Sequence, residues 1–200
     1  GIHGGIMYIN DNNIDIRISN SSMVSNKALL GDGGCISSRS YINMNMTYND
    51  ITSNTAGNNG GCMLFDDNIN IQMYSNTFNN NIASVSGGVG YFGNAILLES
   101  NKSLFHNNSC LVGNGGVFNA GMHVIMHLHN SSINENKAYE GDGGFSHSLS
   151  NISMTIKNNT IFTSNMAGAN GGCISSANEV TIIINNASAV ANVANGCGGV

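Results

Sequence analysis

The sequence contains no proline and no tryptophan, and only 8% of its 200 residues are charged. An average soluble protein carries roughly 25% charged residues, so this chain must hydrate its surface mainly with amides and hydroxyls. The absence of proline fits a structure in which each interior strand donates hydrogen bonds to neighbours on both sides. The chain has six lysine and arginine residues and no basic stripe, so we expect no nucleic-acid partner.

Long apolar runs and clustered carboxylates are also missing. No run approaches the roughly 18 apolar residues of a membrane-spanning helix, so we expect no membrane insertion. The eleven acidic residues are scattered, and Asp66-Asp67 is the only adjacent pair. Enzymes that cleave polysaccharides need carboxylates grouped around the scissile bond. The sequence therefore predicts no enzyme, no catalytic residue and no cofactor, with a polysaccharide lyase or hydrolase as the remote alternative.

What the chain does contain is a repeat. Gly-Gly pairs recur at intervals of 29, 27, 27, 28, 28, 28 and 27 residues. The pairs lie at 4–5, 33–34, 60–61, 87–88, 115–116, 143–144, 171–172 and 198–199. A fixed period of this size is typical of a repeat array in which each unit packs on its neighbours. We expect residues 1–200 to form one continuous array, itself part of a longer chain.

Each repeat contains a segment in which apolar and polar residues alternate. Such a period of two predicts a strand with one face inward and the other in water. The apolar positions of six copies are Ile14, Ile16 and Ile18; Ile42, Met44 and Met46; Ile69, Ile71 and Met73; Val124, Met126 and Leu128; Ile152, Met154 and Ile156; and Val180, Ile182 and Ile184. The copy around Ala95 to Ser100 follows the pattern less cleanly.

A second segment places an apolar residue three positions before an asparagine. That asparagine occurs in every repeat, at Asn26, Asn54, Asn81, Asn108, Asn136, Asn165 and Asn192. An asparagine at one level of every coil predicts a stacked amide ladder at a turn. Asparagine tolerates the left-handed backbone conformation, which we expect it to adopt there, and its side chain can satisfy the backbone groups of a turn.

A third segment follows each Gly-Gly pair and begins with an apolar residue. These residues are Ile6, Cys35, Cys62, Val89, Val117, Phe145, Cys173 and Val200. The glycines indicate a tight corner where a positive φ or a close backbone approach excludes a Cβ atom. Three short strands per repeat predict an all-β fold, a right-handed parallel β-helix of seven coils with about 28 residues each.

The motifs resemble the polymorphic outer-membrane protein repeats of chlamydiae, which pair Gly-Gly-Ala-Ile with Phe-x-x-Asn. The matching segments are Gly33-Gly34-Cys35-Ile36, Gly171-Gly172-Cys173-Ile174, Phe78-Asn79-Asn80-Asn81, Phe105-His106-Asn107-Asn108 and Phe162-Thr163-Ser164-Asn165. This chain departs from the family in placing Cys or Val where Ala is usual and Ile, Met or Ala for Phe in four copies. The resemblance implies a surface-exposed β-helical passenger region with adhesive roles.

Eight Asn-x-Ser/Thr sequons are candidates for N-glycosylation. Their asparagines are Asn20, Asn45, Asn101, Asn107, Asn130, Asn151, Asn158 and Asn186. Five of them, at 20, 101, 130, 158 and 186, fall at the turn that leaves the alternating strand, where a sugar would project outward. The alternative is an ordinary asparagine-rich turn.

The cysteines are expected to have a structural role. Cys35 and Cys62 fall in one inward column of adjacent coils, at a spacing unfavourable for a disulfide, and no Cys-x-x-Cys motif indicates zinc. We expect the buried cysteines to act as small hydrophobic residues.

His123, His127 and His129 are expected to share one outward face, with Glu99 beside His127. We interpret this group as a solvated surface, not as a metal site.

The sequence thus predicts a non-enzymatic, extracellular or cell-surface structural protein, a β-helical stalk or filament-forming segment that carries N-glycans. Its expected partners are further coils of the same chain or copies associating end to end, together with glycans. The alternative is a surface adhesin passenger domain of the autotransporter type, which would bind a cell-surface ligand.

Overall fold

The structure, a computed structural model, describes residues 3–10, 13–39 and 41–198. All regular elements within these ranges are β-strands. The described residues contain no helix that is long and apolar enough to span a membrane. The described residues wind through seven coils, numbered from the Gly4-Gly5 pair, and every strand pairs in parallel with its counterpart one coil away. The predicted all-β parallel β-solenoid is confirmed. Gly199 and Val200, the end of the last predicted corner, lie outside the described residues.

Coil 2 displays the four segments of the repeat. Segment a follows Gly-Gly (Ile36–Ser38), segment b is the alternating strand (Ile42–Thr47), segment c is centred on an apolar residue (Asp50–Thr52), and segment d has two residues (Thr55–Ala56). Coils 1 and 2 have four strands, coils 3 to 5 and coil 7 have three, and coil 6 has two, so the predicted three strands do not occur in every repeat. The conserved asparagine lies in a corner that separates c from d, so the second predicted segment becomes two strands.

Neighbouring segments merge into longer strands in the later coils. The first two coils contain β1 (Met7–Ile9), β2 (Ile14–Ser19), β3 (Ser22–Val24), β4 (Lys27–Ala28), β5 (Ile36–Ser38), β6 (Ile42–Thr47), β7 (Asp50–Thr52) and β8 (Thr55–Ala56). Coils 3 to 5 contain β9 (Met63–Tyr74), β10 (Thr77–Asn79), β11 (Ile82–Ala83), β12 (Gly90–Asn101), β13 (Leu104–His106), β14 (Ser109–Cys110), β15 (Phe118–His129), β16 (Ser132–Asn134) and β17 (Lys137–Ala138). Coils 6 and 7 contain β18 (Ser146–Thr163), β19 (Met166–Ala167), β20 (Ile174–Ser176), β21 (Val180–Val190) and β22 (Val193–Ala194).

The strand register stacks the apolar residues into columns. In segment b, one column runs through Ile14, Ile42, Ile69, Ile96, Val124, Ile152 and Val180. In segment c, Phe78 and Phe105 pair directly, and their rings stack with centroids 5.0 Å apart. Burial of one large apolar side chain stabilises a fold by roughly 1.5–3 kcal/mol, so these columns supply the main force that holds the coils together.

Packing in segment a is maintained by exchange of large and small residues between coils. Coil 4 carries Gly90 and Phe92, and the register pairs them with Phe118 and Ala120 of coil 5. A Cβ atom on Gly90 would lie 2.5 Å from the Phe92 ring and 3.2 Å from the Phe118 ring. Because Gly90 has no side chain, the two rings can fill the space beside it, and the interior stays close-packed.

The two glycines of each Gly-Gly pair are required for different reasons. Gly87 has a φ of +68°, a left-handed conformation that L side chains rarely adopt. A Cβ atom on Gly88 would lie 2.1 Å from the carbonyl oxygen of Gly116 in the next coil. The corner thus needs a positive φ first and a close backbone approach second, which confirms the prediction for the Gly-Gly corner.

Candidate functional site

The conserved asparagines form a continuous chain of hydrogen bonds along the solenoid axis, which we call the asparagine ladder. In coil 4, the backbone N–H and the Nδ2 of Asn108 both donate to Oδ1 of Asn136, each at 3.0 Å. The Nδ2 also donates to the carbonyl of Phe78 at 2.9 Å. Oδ1 of Asn108 accepts from the backbone N–H and the Nδ2 of Asn81. All donors and acceptors of this buried side chain are thereby used.

The same pattern runs from Asn26 to Asn192, with one asparagine in each of the seven coils. Their side chains are fully buried from Asn54 to Asn165. The expected left-handed backbone at these asparagines is wrong. The positive φ values, between 50° and 58°, belong to the preceding residues: Ser25, Ser53, Asn80, Asn107, Glu135, Ser164 and Ala191. The asparagine is needed for its amide, and its neighbour makes the turn.

A second ladder, which the sequence reasoning missed, lies at the corner between segments b and c. Its members are Ser21, Asn49, Asn76, Ser103, Ser131 and Thr160, each accepting or donating across coils. We call it the mixed ladder because asparagine, serine and threonine all occur in it. A signal was present in the sequence, since each member lies five residues before an asparagine of the first ladder. Coil 7 has Ala187 at this position.

A third row of polar side chains precedes the Gly-Gly corners. Oδ1 of Asp32 accepts from the backbone N–H of Asn59 at 3.0 Å, and Oδ1 of Asp142 accepts from that of Asn170 at 2.7 Å. Asp32 and Asp142 each lie directly before a Gly-Gly pair and act as turn residues. Because these carboxylates hold backbone groups, they belong to the scaffold.

The outward side chains of segment b line an elongated depression, which we call the outer groove. It consists of two adjoining depressions of about 570 and 440 Å³ that share Asn45, Thr47 and Gln72. One row of the groove contains Arg17, Asn45, Gln72, Glu99, His127 and Thr155. The other row contains Ser19, Thr47, Tyr74, Asn101, His129 and Lys157. With coils roughly 4.8 Å apart, six coils give a groove about 24 Å long.

The histidines at 123, 127 and 129 lie on two different surfaces. Glu99 pairs with His127 in the strand register, as expected, and the rings of His127 and His129 are 6.5 Å apart. His123 does not share this face, which corrects the prediction. Its φ of +59° turns the chain before segment b, and it lines a separate depression with Leu97 and Ile125. Within the described ranges, no three His, Cys, Asp or Glu residues are close enough to bind one metal ion.

The sequon asparagines have structural uses of their own. Six of the eight adopt a positive φ between 47° and 55°: Asn20, Asn107, Asn130, Asn151, Asn158 and Asn186. The other two, Asn45 and Asn101, lie in segment b and line the outer groove. The hydroxyl residues of two sequons, Ser103 and Thr160, belong to the mixed ladder and are buried. Turn and ladder chemistry accounts for much of this pattern, and glycosylation stays a prediction.

Four of the five cysteines are buried and all five are free thiols. Burial raises the pKa of Cys62 well above its ordinary value, and the adjacent thiol of Cys35 raises it further. Burial also raises the pKa of Cys110 to about 12 and that of Cys173 well above the ordinary range. These thiols remain protonated at neutral pH, so they pack as small apolar groups.

The single pair of adjacent acids lies at the corner between segments a and b. Oδ1 of Asp67 accepts from the backbone N–H and the Nδ2 of Asn94, at 2.8 and 3.0 Å. Burial raises the pKa of Asp66, and the neighbouring Asp67 carboxylate raises it further. Asp67 therefore holds the corner through its hydrogen bonds to Asn94.

The fold and its ladders define the class, a parallel β-solenoid with polar columns at its corners. Comparison with protein-family models, with curated proteins and with solved structures gives no match. The resemblance to the chlamydial outer-membrane repeats thus depends on the quoted motifs alone and stays a prediction.

Proposed function

We propose that this chain is a non-enzymatic extracellular structural protein, a β-helical stalk or filament-forming segment. The observation that carries the proposal is the asparagine ladder, which continues without interruption from Asn26 to Asn192. Each coil binds the next through backbone hydrogen bonds, apolar columns and amide side chains. Such a repeat array gains stability through nearest-neighbour interfaces, so length itself makes the element stiff and stable.

The inward apolar side chains of coil 7 are exposed, which favours a partner that packs on this coil. Its inward residues Val180, Ile182 and Ile184 are 47%, 39% and 63% exposed, whereas the coil 6 counterparts are at most 2% exposed. We propose that a coil of a second copy covers these residues. Apolar columns in register would then continue across the junction, as they do between coils 6 and 7.

The first test is electron microscopy of the native material, combined with mass spectrometry of intact glycopeptides. The proposal expects thin continuous fibrils or stalks, with glycans on exposed turn residues such as Asn20, Asn130, Asn158 and Asn186. Discrete unglycosylated particles on a membrane surface would contradict it. Cleavage of a polysaccharide by the purified chain would contradict its non-enzymatic part.

A pair of substitutions tests end-to-end association. Ile182→Arg places a charge in the inward column of coil 7, whereas Ile183→Arg places it on the outer face of the same strand. If copies stack through coil 7, sedimentation velocity should show association of the wild type and of Ile183→Arg, but not of Ile182→Arg. Equal association of all three proteins would exclude this interface.

An adhesin passenger domain is the second candidate, and the outer groove favours it. The groove offers polar side chains over six coils. A scaffold with such a surface could bind a ligand of the host or of a neighbouring cell. Microscopy that finds single membrane-attached molecules would favour this candidate over a fibre.

A further inference from the structure

The outer groove has the chemistry of a binding site for an extended polar polymer. Its exposed side chains Gln72 and Glu99 and the half-buried Thr155 make no side-chain hydrogen bond within the described part of the chain. The ladders, by contrast, use nearly all their hydrogen-bonding groups internally. The groove therefore presents free donors and acceptors, which a ligand can satisfy.

The groove backbone is not available to a ligand. In coils 2 to 6, each segment b is hydrogen-bonded on both sides to the same segment of the neighbouring coils. An extended peptide that binds by strand addition needs a free sheet edge, so this mode is excluded along the groove. Recognition there must depend on side chains.

The charge of the groove is balanced. Among the residues that line the groove, Asp15 and Glu99 offset Arg17 and Lys157. Polyanions such as nucleic acids or acidic glycans bind surfaces with an excess of basic residues. The groove has no such excess, so an uncharged ligand suits it better.

An apolar depression lies beside the groove. Leu97 and Ile125 pair in the strand register, two residues before Glu99 and His127, and both line the adjoining depression. A sugar ring presents hydroxyls at its edge and C–H groups on its faces. Amide, carboxylate and imidazole groups can bind the hydroxyls, while the aliphatic side chains cover the C–H groups.

The repeat of the groove also matches a polymer. Equivalent side chains recur once per coil, roughly every 4.8 Å, which is similar to the length of one sugar residue in an extended chain. We infer that the outer groove binds a neutral polysaccharide that runs parallel to the solenoid axis. This inference does not depend on the chain forming fibres.

Two of the candidate glycosylation sites lie in the outer groove. Asn45 and Asn101 both line the groove, so a glycan attached to either residue would fill the site from within. Binding and glycosylation at these two residues are therefore mutually exclusive. The protein for the test should be produced in bacteria, without N-glycans.

Native gel electrophoresis in the presence of soluble polysaccharides tests the inference, and the net charge of −5 allows the chain to migrate. The probes are hydroxyethylcellulose, galactomannan and xyloglucan, with polygalacturonate as the acidic comparison. We expect at least one neutral probe to retard the wild type. Retardation by none of them, or by polygalacturonate alone, would overturn the inference.

A matched pair of double variants identifies the surface. Gln72→Ala with His127→Ala removes an amide and an imidazole from the groove, and Asn134→Ala with His106→Ala removes the same groups from segment c. The groove variant should lose affinity about tenfold or more, and the control should bind as the wild type does. Equal losses in both variants would overturn the inference. Circular dichroism melting should establish that both variants are folded.

Discussion

The asparagine ladder and the mixed ladder solve the same problem at two corners of every coil. Both satisfy backbone groups that a corner leaves without strand partners. In the asparagine ladder, Asn108 makes five hydrogen bonds between 2.9 and 3.0 Å, all to other coils. In the mixed ladder, Ser103 accepts from the backbone N–H of Asn76 at 3.3 Å, and its hydroxyl turns back to the carbonyl of Asn101 at 3.4 Å.

The difference shows what a buried corner requires. The hydroxyl of Ser103 satisfies the backbone N–H of the preceding coil but turns back within its own coil, and that of Thr160 approaches the carbonyl of Leu128 on the far side only to 3.4 Å. Asn76 does reach it, donating to the carbonyl of Met46 at 2.9 Å. The mixed ladder therefore tolerates shorter side chains, whereas the first ladder depends on the amide in every coil.

Asn108→Asp should have the largest effect. The carboxylate would keep an acceptor for Asn81 but would place a negative oxygen against the carbonyl of Phe78 and Oδ1 of Asn136. We expect a loss of about 4 kcal/mol in the free energy of unfolding, since a buried charge is left without a partner. Urea denaturation at pH 7 measures this loss. Because protonation restores a donor, the loss should be smaller at pH 4, and a loss independent of pH would contradict this explanation.

The same substitution in each ladder compares the two corners directly. Asn108→Ser removes three side-chain hydrogen bonds, whereas Asn76→Ser removes two and reproduces the local geometry of Ser103. We expect Asn108→Ser to be the more destabilising by about 1–2 kcal/mol. Urea denaturation of both variants under one set of conditions provides the measurement. Equal losses would mean that the two ladders are energetically equivalent.

Ser103→Asn should convert one step of the mixed ladder into the asparagine pattern. The new amide would accept from Asn76 and would donate to the carbonyl of Met73, which pairs with Met46 of the preceding coil. We expect a gain of about 0.5–1 kcal/mol in urea denaturation. A loss would show that the corner has no room for the longer side chain. Ser132→Asn, on the outer side of the next coil, serves as the control and should leave stability nearly unchanged.

The fold could be predicted because its signals recur in every coil. The Gly-Gly spacing, the alternation in segment b and the asparagine at one level all survive variation of individual residues. The division between segments c and d could not be predicted, because a corner of only two residues, such as Ser53 and Asn54, leaves no clear gap in the apolar pattern. The mixed ladder was hidden for a related reason, since three residue types fill it.

The outer groove was only partly visible in the sequence. The pairing of Glu99 with His127 followed from the strand register, which the repeat determines. The position of His123 did not follow from the register. His123 lies four residues before His127, and this even spacing in a strand predicts one face, but the left-handed backbone at His123 places it on another. Sequence periodicity locates residues along a strand, but it does not show where the strand turns a corner.

The smallest effect is expected at a buried polar group outside both ladders. His147 is 5% exposed, and its Nδ1 has no hydrogen-bond partner within the described residues. Burial lowers its pKa below the ordinary value of 6.5, although the carboxylate of Asp142 partly opposes this shift. The unfolded chain therefore binds a proton more readily than the folded one, so stability is fully present above the ordinary pKa and falls as the pH drops below it. His147→Gln should flatten the dependence of the urea midpoint on pH in this range. An unchanged slope would show that another group titrates in this pH range.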